Sequence, residues 1–492
     1  MRHSLAPLIL RPIAITDPQA ALGALATLPH PFLLHTALES GGARWSFFGA
    51  DPFAVYRGER YDEAAAAWRR IARSFPAEAA LATDAPFIGG MVGYWAYDFG
   101  RRLERIPAVA HDDLRLPDCV LGFYDVVGAF DHAARRAFLF SSGLPLDAGA
   151  GRERARARLD DFARRIESAE LAPGAAPRAG ASAASTFTPD GYKRAVEKVK
   201  DHIRRGDIFQ ANLSQRWTVD LPRGAAHAPG VARSAPGPPA GPAGSPGAFA
   251  RALDLALARR SPAPFAGFLD AGDHAVACAS PERFLTLRGR AVTTRPIKGT
   301  RPRGATPEED RALCQELRAS EKDRAENVMI VDVLRNDLGR VCEAGSVETP
   351  ALYELETFPQ VHHLTSTVMG ILRPGLDALD LLHAAFPGGS ITGAPKIRAM
   401  EILDALEPVR RHIYTGSLGY LGWRGDADWN IAIRVALVTP HAVHIAAGGG
   451  ITADSDAGAE YDETLHKAEG IRLALEDLLG AVALEPAAAH AR

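Results

Sequence analysis

"TPDGYKRAVEKVKDHIRRGDIFQANLSQRWTV", Thr188 to Val219, is the stretch whose reading decides the fold class. Thr188 and Pro189 form a cap and first turn, so a helix begins there. Val196, Val199 and Ile203 share one face of it, and Gly206 ends it. The period then changes from helical to alternating. Gln210, Asn212, Ser214 and Arg216 point one way, and Phe209, Ala211, Leu213 and Trp217 the other, as in a strand. On this strand alone a solvent-exposed polar face is the simpler reading, and a ligand-facing side is the alternative. Helices and strands keep alternating through the last two-thirds of the chain, which reads as α/β.

Two stretches flank this unit with little to bury. Ala169–Thr186 is rich in Ala, Pro and Gly and reads as an unstructured linker, and Pro222–Gly247 reads as a mobile insertion. The expected organisation is therefore an amino-terminal region 1–168, a linker 169–187, a main domain 188–480 interrupted at 222–247, and a tail 481–492. The amino-terminal region mixes short strands with one clear helix near Asp62–Phe75, and the insertion is followed by a helix at Ala248–Arg260. The chain has 492 residues, 47% hydrophobic and 23% charged, with a net charge of −3. That is globular composition with no basic stripe for a nucleic acid. Four scattered cysteines in no CxxC pattern exclude zinc and redox motifs and suit a reducing cytosol. No run approaches the ~18–20 apolar residues of a membrane span. A cytoplasmic protein is expected.

Several clusters could carry chemistry. "TTRPIKGTRPRG", Thr293–Gly304, reads as a strand that stops at a glycine turn. It sets Lys298 among Arg295, Arg301 and Arg303, and neighbouring positive charge lowers the pKa of an amine. From Thr306, with Glu309 as a capping box, one helix is expected to run into "NVMIVDVL", with Asp323, Glu326 and Asn327 on one face. Glu460, Glu463 and Lys467 share a face of a later helix, where a surface salt-bridge ladder is the simpler reading. Glutamates converging from two helices would instead suit a hard divalent cation. "PGGSITGAPK", "YTGSLGY" and "AGGGIT" are glycine-rich turns able to offer N–H groups to an anion. Arg434, inside the apolar "WNIAIRVALV", needs an anion, either a ligand carboxylate or a buried structural partner.

Together these segments resemble the chorismate-utilising enzymes. The matching stretches are "GDIFQANLSQRW", "ASPERFL", "RPIKGTRPRG", "SEKDRAENVMIVDVLRNDLGRV", "VHHLTSTVMG", "FPGGSITGAPKIRAMEILDALEP", "YTGSLGYLGW" and "AGGGITADSDAGAEYDETLHKAEGI", from about Thr188 to Leu479 in the family's order. The resemblance implies a layered α/β (α+β) chorismate-binding fold with extensive antiparallel sheet, outer helices and a deep cleft. In it the amino-terminal and catalytic regions pack as one intertwined body.

The resemblance also implies a chemistry. Water-using relatives carry an activating lysine where this chain has Gln210, which favours ammonia as the nucleophile. Anthranilate-forming members read Pro-Ile-Ala-Gly-Thr where this chain reads Pro296-Ile297-Lys298-Gly299-Thr300. That lysine resembles the covalent nucleophile of aminodeoxychorismate-forming members, transferases of p-aminobenzoate and folate biosynthesis. Glu282 matches the family's general acid/base. Glu326 and Glu463 resemble its magnesium ligands, with Glu460 in the same acidic shell. Gln210, Gly299, Thr300, His363, Thr392, Tyr414, Arg434, Gly448, Gly449, Gly450 and Lys467 resemble its substrate-binding set. Ser40, Arg44 and Trp45, with Pro264, Phe265 and Ala266, resemble its tryptophan pocket. The implied cofactor is Mg2+. No cysteine stands in a glycine-rich elbow, so ammonia is expected from a separate glutamine amidotransferase subunit. "ALES" and "SFFGADPF" lean the other way, towards anthranilate formation, which is the alternative. A catalytically silent chorismate- or tryptophan-binding regulator is a third reading.

Overall fold

The computed structural model describes residues 8–37, 44–75, 84–168, 180–221 and 246–487. Thr188 caps the helix Pro189–Arg204, its side-chain oxygen accepting the N–H of Gly191 at 3.0 Å. Tyr192, Val196 and Val199 are buried along one face. Gly206, at φ +78°, turns the chain into the strand Gln210–Asp220. This strand pairs antiparallel with Ala442–Ile451 over its whole length, from Ala211 opposite Ile451 to Asp220 opposite Ala442.

The expected solvent face of that strand is corrected by the structure: Gln210, Asn212, Ser214 and Arg216 are all buried. Ala211 and Leu213 join Val196, Val199, Ile402 and Leu403 in a small core beneath two helices. The polar side chains turn the other way, where Ser214 and Arg216 find partners and Oε1 of Gln210 is buried without one. The N–H and hydroxyl of Ser214 donate to Glu407 at 2.9 and 2.8 Å, and Arg216 pairs with Asp113.

Among the described residues the strands form two sheets, of 13 and 10 strands. Both sheets take strands from either side of the linker. Phe32–His35 pairs with Phe265–Asp270 in the larger, and Gly90–Trp95 with Ser417–Gly422 in the smaller. Each region thus covers edges that the other would leave bare, and the architecture is layered α/β as expected. The core between the sheets holds Trp95, Phe284, Trp423 and Trp429, with Trp95 and Trp429 edge to face at 5.8 Å. Burying each large apolar side chain is worth roughly 1.5–3 kcal/mol. The helix Ala457–Leu479 packs on the outside, across Ala442–Ile451 and against the helix Pro246–Arg260. No helix among the described residues is long and apolar enough to cross a membrane.

Three local readings change. Ala181–Ser185, expected to be unstructured, is a strand, antiparallel to Gln210–Asp220 and parallel to Val482–Glu485 at the start of the expected tail. The remainder of the linker, 169–179, and residues 222–245 of the insertion lie outside the described residues. The long helix from Thr306 is two helices, Pro307–Ala319 and Glu321–Gly339. Ser320 leaves helical geometry at ψ 106° and caps the second, accepting the N–H of Asp323 at 3.2 Å. The helix near Asp62 spans Tyr61–Ser74, and the one after the insertion begins at Pro246.

Candidate active site

The lysine strand, Ile297–Pro302, pairs with the histidine strand, Val361–Ile371. Ile297 lies opposite Thr365, but Thr300 lies opposite His363, so the lysine strand carries one extra residue between these pairs. Lys298 and Gly299 form this bulge, and a bulge re-aims a side chain out of the strand's alternation. Gly299 has φ +88°, and a Cβ there would sit 3.0 Å from Asp323 on the helix Glu321–Gly339. The bulge delivers Lys298 across the cleft: its Nζ lies 3.6 Å from where a Cβ on Gly450 would stand.

The arginines around Lys298 do not act as a positive field. Arg295 pairs with Glu356 at 2.6 Å, Arg301 with Glu316 at 2.7 Å and Asp323 at 3.2 Å, and Arg303 with Asp310 at 2.7 Å. This corrects the expectation that they act on the amine. The charges that Lys298 faces are the carboxylates of Glu282, Glu326 and Glu463.

Glu282 sits where the chain crosses from Ala275–Ser280 in the larger sheet to Arg283–Arg288 in the smaller. Its N–H bonds the Ser280 hydroxyl at 3.2 Å and its carbonyl accepts the N–H of Ile431 at 3.1 Å, which fixes the corner. Burial pushes its carboxyl up to about 7, against the Ser390 hydroxyl, Lys298 and the Ile297 N–H, which favour the charged form. A carboxyl poised near neutrality can donate and take back a proton. Ser390 was not singled out from the sequence. Its signal was only that it lies in the glycine-rich "PGGSITG".

The opposite wall is the glycine strand, Ala442–Ile451. A Cβ on Gly449 would lie 2.7 Å from Oε2 of Glu460, and one on Gly450 would clash with the Gln210 amide. These glycines keep the floor of the cleft open. Arg434 stands in the turn before Val435–Val438 rather than in a strand, with φ +50°. Its guanidinium has no hydrogen bond or ion pair among the described residues, and burial alone lowers its pKa. The structural ion pair offered as one explanation is therefore not formed there, and a partly buried cation is left facing the cleft. His363 is buried beside it. Its Nδ1 lies 2.9 Å from Oγ1 of Thr300, and burial, then Arg434, lowers its pKa to about 4, so the ring is neutral at pH 7. Tyr414 is buried and bonded to the Asn212 side chain.

The family model for chorismate binding enzymes matches residues 34–234 and 248–472. The chain belongs to this family. It is 43% identical to aminodeoxychorismate synthase component 1 of Klebsiella aerogenes, over 80% of this chain and 78% of that one. It is 41% identical to anthranilate synthase component 1 of Cereibacter sphaeroides, over 80% of this chain and 74% of that one. The crystal structure of anthranilate synthase component I from Streptococcus pneumoniae superposes with a TM-score of 0.71 at 31% identity, covering 88% of this chain and 93% of that one.

The remaining residues that the family resemblance implicated fall in three places. The acidic group lies beyond Lys298. Glu460 is buried, with Oε1 accepting the Ser455 hydroxyl at 2.6 Å and Oε2 without a partner. Glu463 pairs with Lys467 at 2.6 Å, and Lys467 also donates to the Gly448 carbonyl at 3.0 Å. Burial raises Glu326 and Glu460, and the Glu463 charge raises both further. Lys322, one turn before Glu326 and not singled out from the sequence, adds its charge to all three carboxylates. Oxygen donors and an orphaned carboxylate oxygen fit a hard cation. Among the described residues, however, no three His, Cys, Asp or Glu side chains stand close enough to hold a metal by themselves. Thr392 is fully buried, and its hydroxyl is bonded to the Gly388 carbonyl at 3.0 Å rather than presented to the cleft.

The third place is a separate cavity of about 100 Å³ lined by Arg44, Trp45, Pro264, Phe265, Ala266 and Arg283. Arg44 lies over the Trp45 ring at 5.0 Å and bonds Asp131 at 2.9 Å. Ser40 lies outside the described residues. Arg283, facing this cavity, is the immediate neighbour of Glu282 in the chain.

Proposed function

We propose that the chain is the chorismate-handling component of an aminodeoxychorismate synthase, joining chorismate and ammonia to give 4-amino-4-deoxychorismate. The observation that carries this is Lys298, turned out of its strand by the bulge and set between Glu282 and the glycine strand. Arg434, with no acid partner among the described residues, takes a substrate carboxylate. Lys298 gives up its proton to a neighbouring carboxylate and its lone pair adds to C2 of the ring, the double bond shifts, and the C4–O bond breaks. Glu282 in its acid form gives its proton to the departing hydroxyl, so water leaves rather than hydroxide. Ammonia then adds at C4, the double bond shifts back, and the C2–N bond to Lys298 breaks. The proton released by the new amine returns to the basic groups of the site. Two easier substitutions replace one hard one, and the side chain at C3 is kept.

Glu326 and Glu463 would hold magnesium, with Glu460 beside them. When bound, the ion supplies positive charge that neutralises the ring carboxylate. Ammonia comes from a glutamine amidotransferase subunit, a reading supported by the 43% identical relative being named component 1 of its synthase. The cavity beside Arg283 is the proposed tryptophan pocket: its aromatic and proline walls suit an indole, while Arg44 and Arg283 are paired with Asp131 and Asp428.

Incubation with chorismate, ammonium chloride and magnesium tests the reading. The expected product is aminodeoxychorismate, which a pyridoxal-phosphate lyase converts to p-aminobenzoate. Fluorescent anthranilate appearing without the lyase would favour the second reading, anthranilate formation, which the 41% identical relative supports.

A further inference from the structure

Asp310 lies on the first turn of the helix Pro307–Ala319, yet its carboxylate accepts from none of that helix's own N–H groups, which Thr306 caps. Its carboxylate instead gathers four donor groups, on three residues of two other segments. Oδ1 accepts from Nε of Arg303 at 2.7 Å, from the N–H of Gly304 at 2.9 Å and from Nε2 of His362 at 2.9 Å, and Oδ2 accepts from Nη2 of Arg303 at 2.9 Å. Nδ1 of the same ring lies 2.9 Å from the Thr357 hydroxyl, and both ring nitrogens lie 3.4 Å from Sγ of Cys314. His362 is 1% exposed, so its ring is held by these partners. Gly304 runs so close to the backbone of Asp310 that a Cβ there would clash with it.

The consequence lies in the register. Arg301 is opposite His362 and Thr300 is opposite His363, directly downstream of the bulge that carries Lys298. Arg303 adds a bond from its N–H to the Gln360 carbonyl at 3.2 Å and one from Nη1 to the Phe358 carbonyl at 3.1 Å. The end of the lysine strand is therefore pinned to the histidine strand at one carboxylate. Gln210, Arg434 and the three glycines lie on strands of the other sheet or in the turn beside them, whereas of the implicated binding residues Gly299, Thr300 and His363 lie in the pinned segment itself.

We propose that Asp310 is a positioning residue for Lys298: by locking Arg303, Gly304 and His362 together, it fixes the downstream end of the bulge and so the reach of the amine. The proposal rests on the reading of Lys298 as nucleophile. Displacing a reacting group by about 1 Å costs up to roughly 100-fold in rate. Asp310→Ala should lower kcat with ammonia by roughly 10- to 100-fold while KM for chorismate stays within a few-fold. Amide exchange in the peptide 297–304 should speed up, and the melting temperature should fall modestly, because the Gly304 N–H and the buried His362 lose their acceptor. Asp310→Asn keeps one acceptor oxygen and should recover part of kcat. If Asp310→Ala does not stay folded, the Asn variant alone carries the test through its kcat and its exchange at 297–304.

An unchanged kcat in the folded variant overturns the proposal, whether or not exchange speeds up. So does a rise in KM with kcat preserved, which would make Asp310 a binding determinant. Wild-type protein that makes no aminodeoxychorismate would refute the reading of Lys298 instead. In that case, faster exchange at 297–304 in Asp310→Ala would still establish the lock, and unchanged exchange would remove it.

Discussion

The two walls of the cleft are built differently. The glycine strand and its partner Gln210–Asp220 run in unbroken register for ten residue pairs, and nearly every residue on them is buried. The wall that carries Lys298 has register shifts wherever it matters. They fall between Arg283 and Thr286, between Ile297 and Thr300, and twice along Glu348–Thr357. It is also the more exposed wall, with Leu352, Met369 and Ile371 facing solvent. A regular sheet lets backbone and glycines approach a ligand closely, which suits binding. A bulged strand turns a single side chain out of alternation, which suits chemistry. Substrate affinity is thus drawn mainly from the regular wall, with Gly299, Thr300 and His363 adding to it from the bulged one, and the bulged wall supplies the rate through Lys298.

The largest expected effect falls at the junction of the walls. Glu282→Gln should lower kcat by roughly 10²–10⁴-fold. Its acid form is required and its carboxyl titrates at about 7. Wild-type turnover, measured at constant free ammonia, should therefore fall as pH rises above that value, and the variant should lose that alkaline limb. A variant that keeps the limb would assign it to another group.

Next in size is the regular wall. Arg434→Ala should raise KM for chorismate by the equivalent of about 2–5 kcal/mol, the usual loss on truncating one side of a buried charge pair. The change in kcat should be smaller. Because Arg434 has no partner among the described residues, the variant should melt no lower than the wild type. A large loss of stability, or an effect on kcat alone, would break the division between the walls.

The smallest effect is a stability gain. Burial raises the Glu282 carboxyl from its usual 4.5 to about 7, so the folded state binds a proton that the unfolded state releases. Stability is then lost as pH rises from about 4.5 through about 7. Glu282→Gln should melt higher than the wild type at pH 8 and no higher at pH 4, by thermal denaturation. Equal melting at both values would mean that the carboxyl is not strained by burial.

Much of this was legible in the sequence, where the determinants are local. Thr188, Pro189 and Gly206 marked a helix correctly because caps and turns are decided within a few residues. The alternation from Gln210 marked a strand for the same reason. The motif around Lys298 identified the residue but not its geometry, since the bulge exists only against the spacing of Val361–Ile371. The arginines beside it read as a positive field, and their neutralisation by Asp310, Glu316, Asp323 and Glu356 depends on contacts made by folding. Ala181–Ser185 looked like linker because alanine and serine carry no strand signal. Its pairing comes from neighbours more than 20 residues away on one side and from Val482–Glu485 on the other. Ser320 carried a capping signal, but it was hidden inside a continuous helical pattern.

The most direct test of the central claim is mass spectrometry of the protein quenched with chorismate and magnesium in the absence of ammonia. The account predicts a covalent adduct on the peptide containing Lys298. The adduct should disappear when ammonia is added, as product forms, and should be absent from Lys298→Ala, which still binds chorismate but turns over far more slowly. No adduct on the wild type, together with unimpaired turnover by Lys298→Ala, would contradict it and return the bulge to a purely structural role.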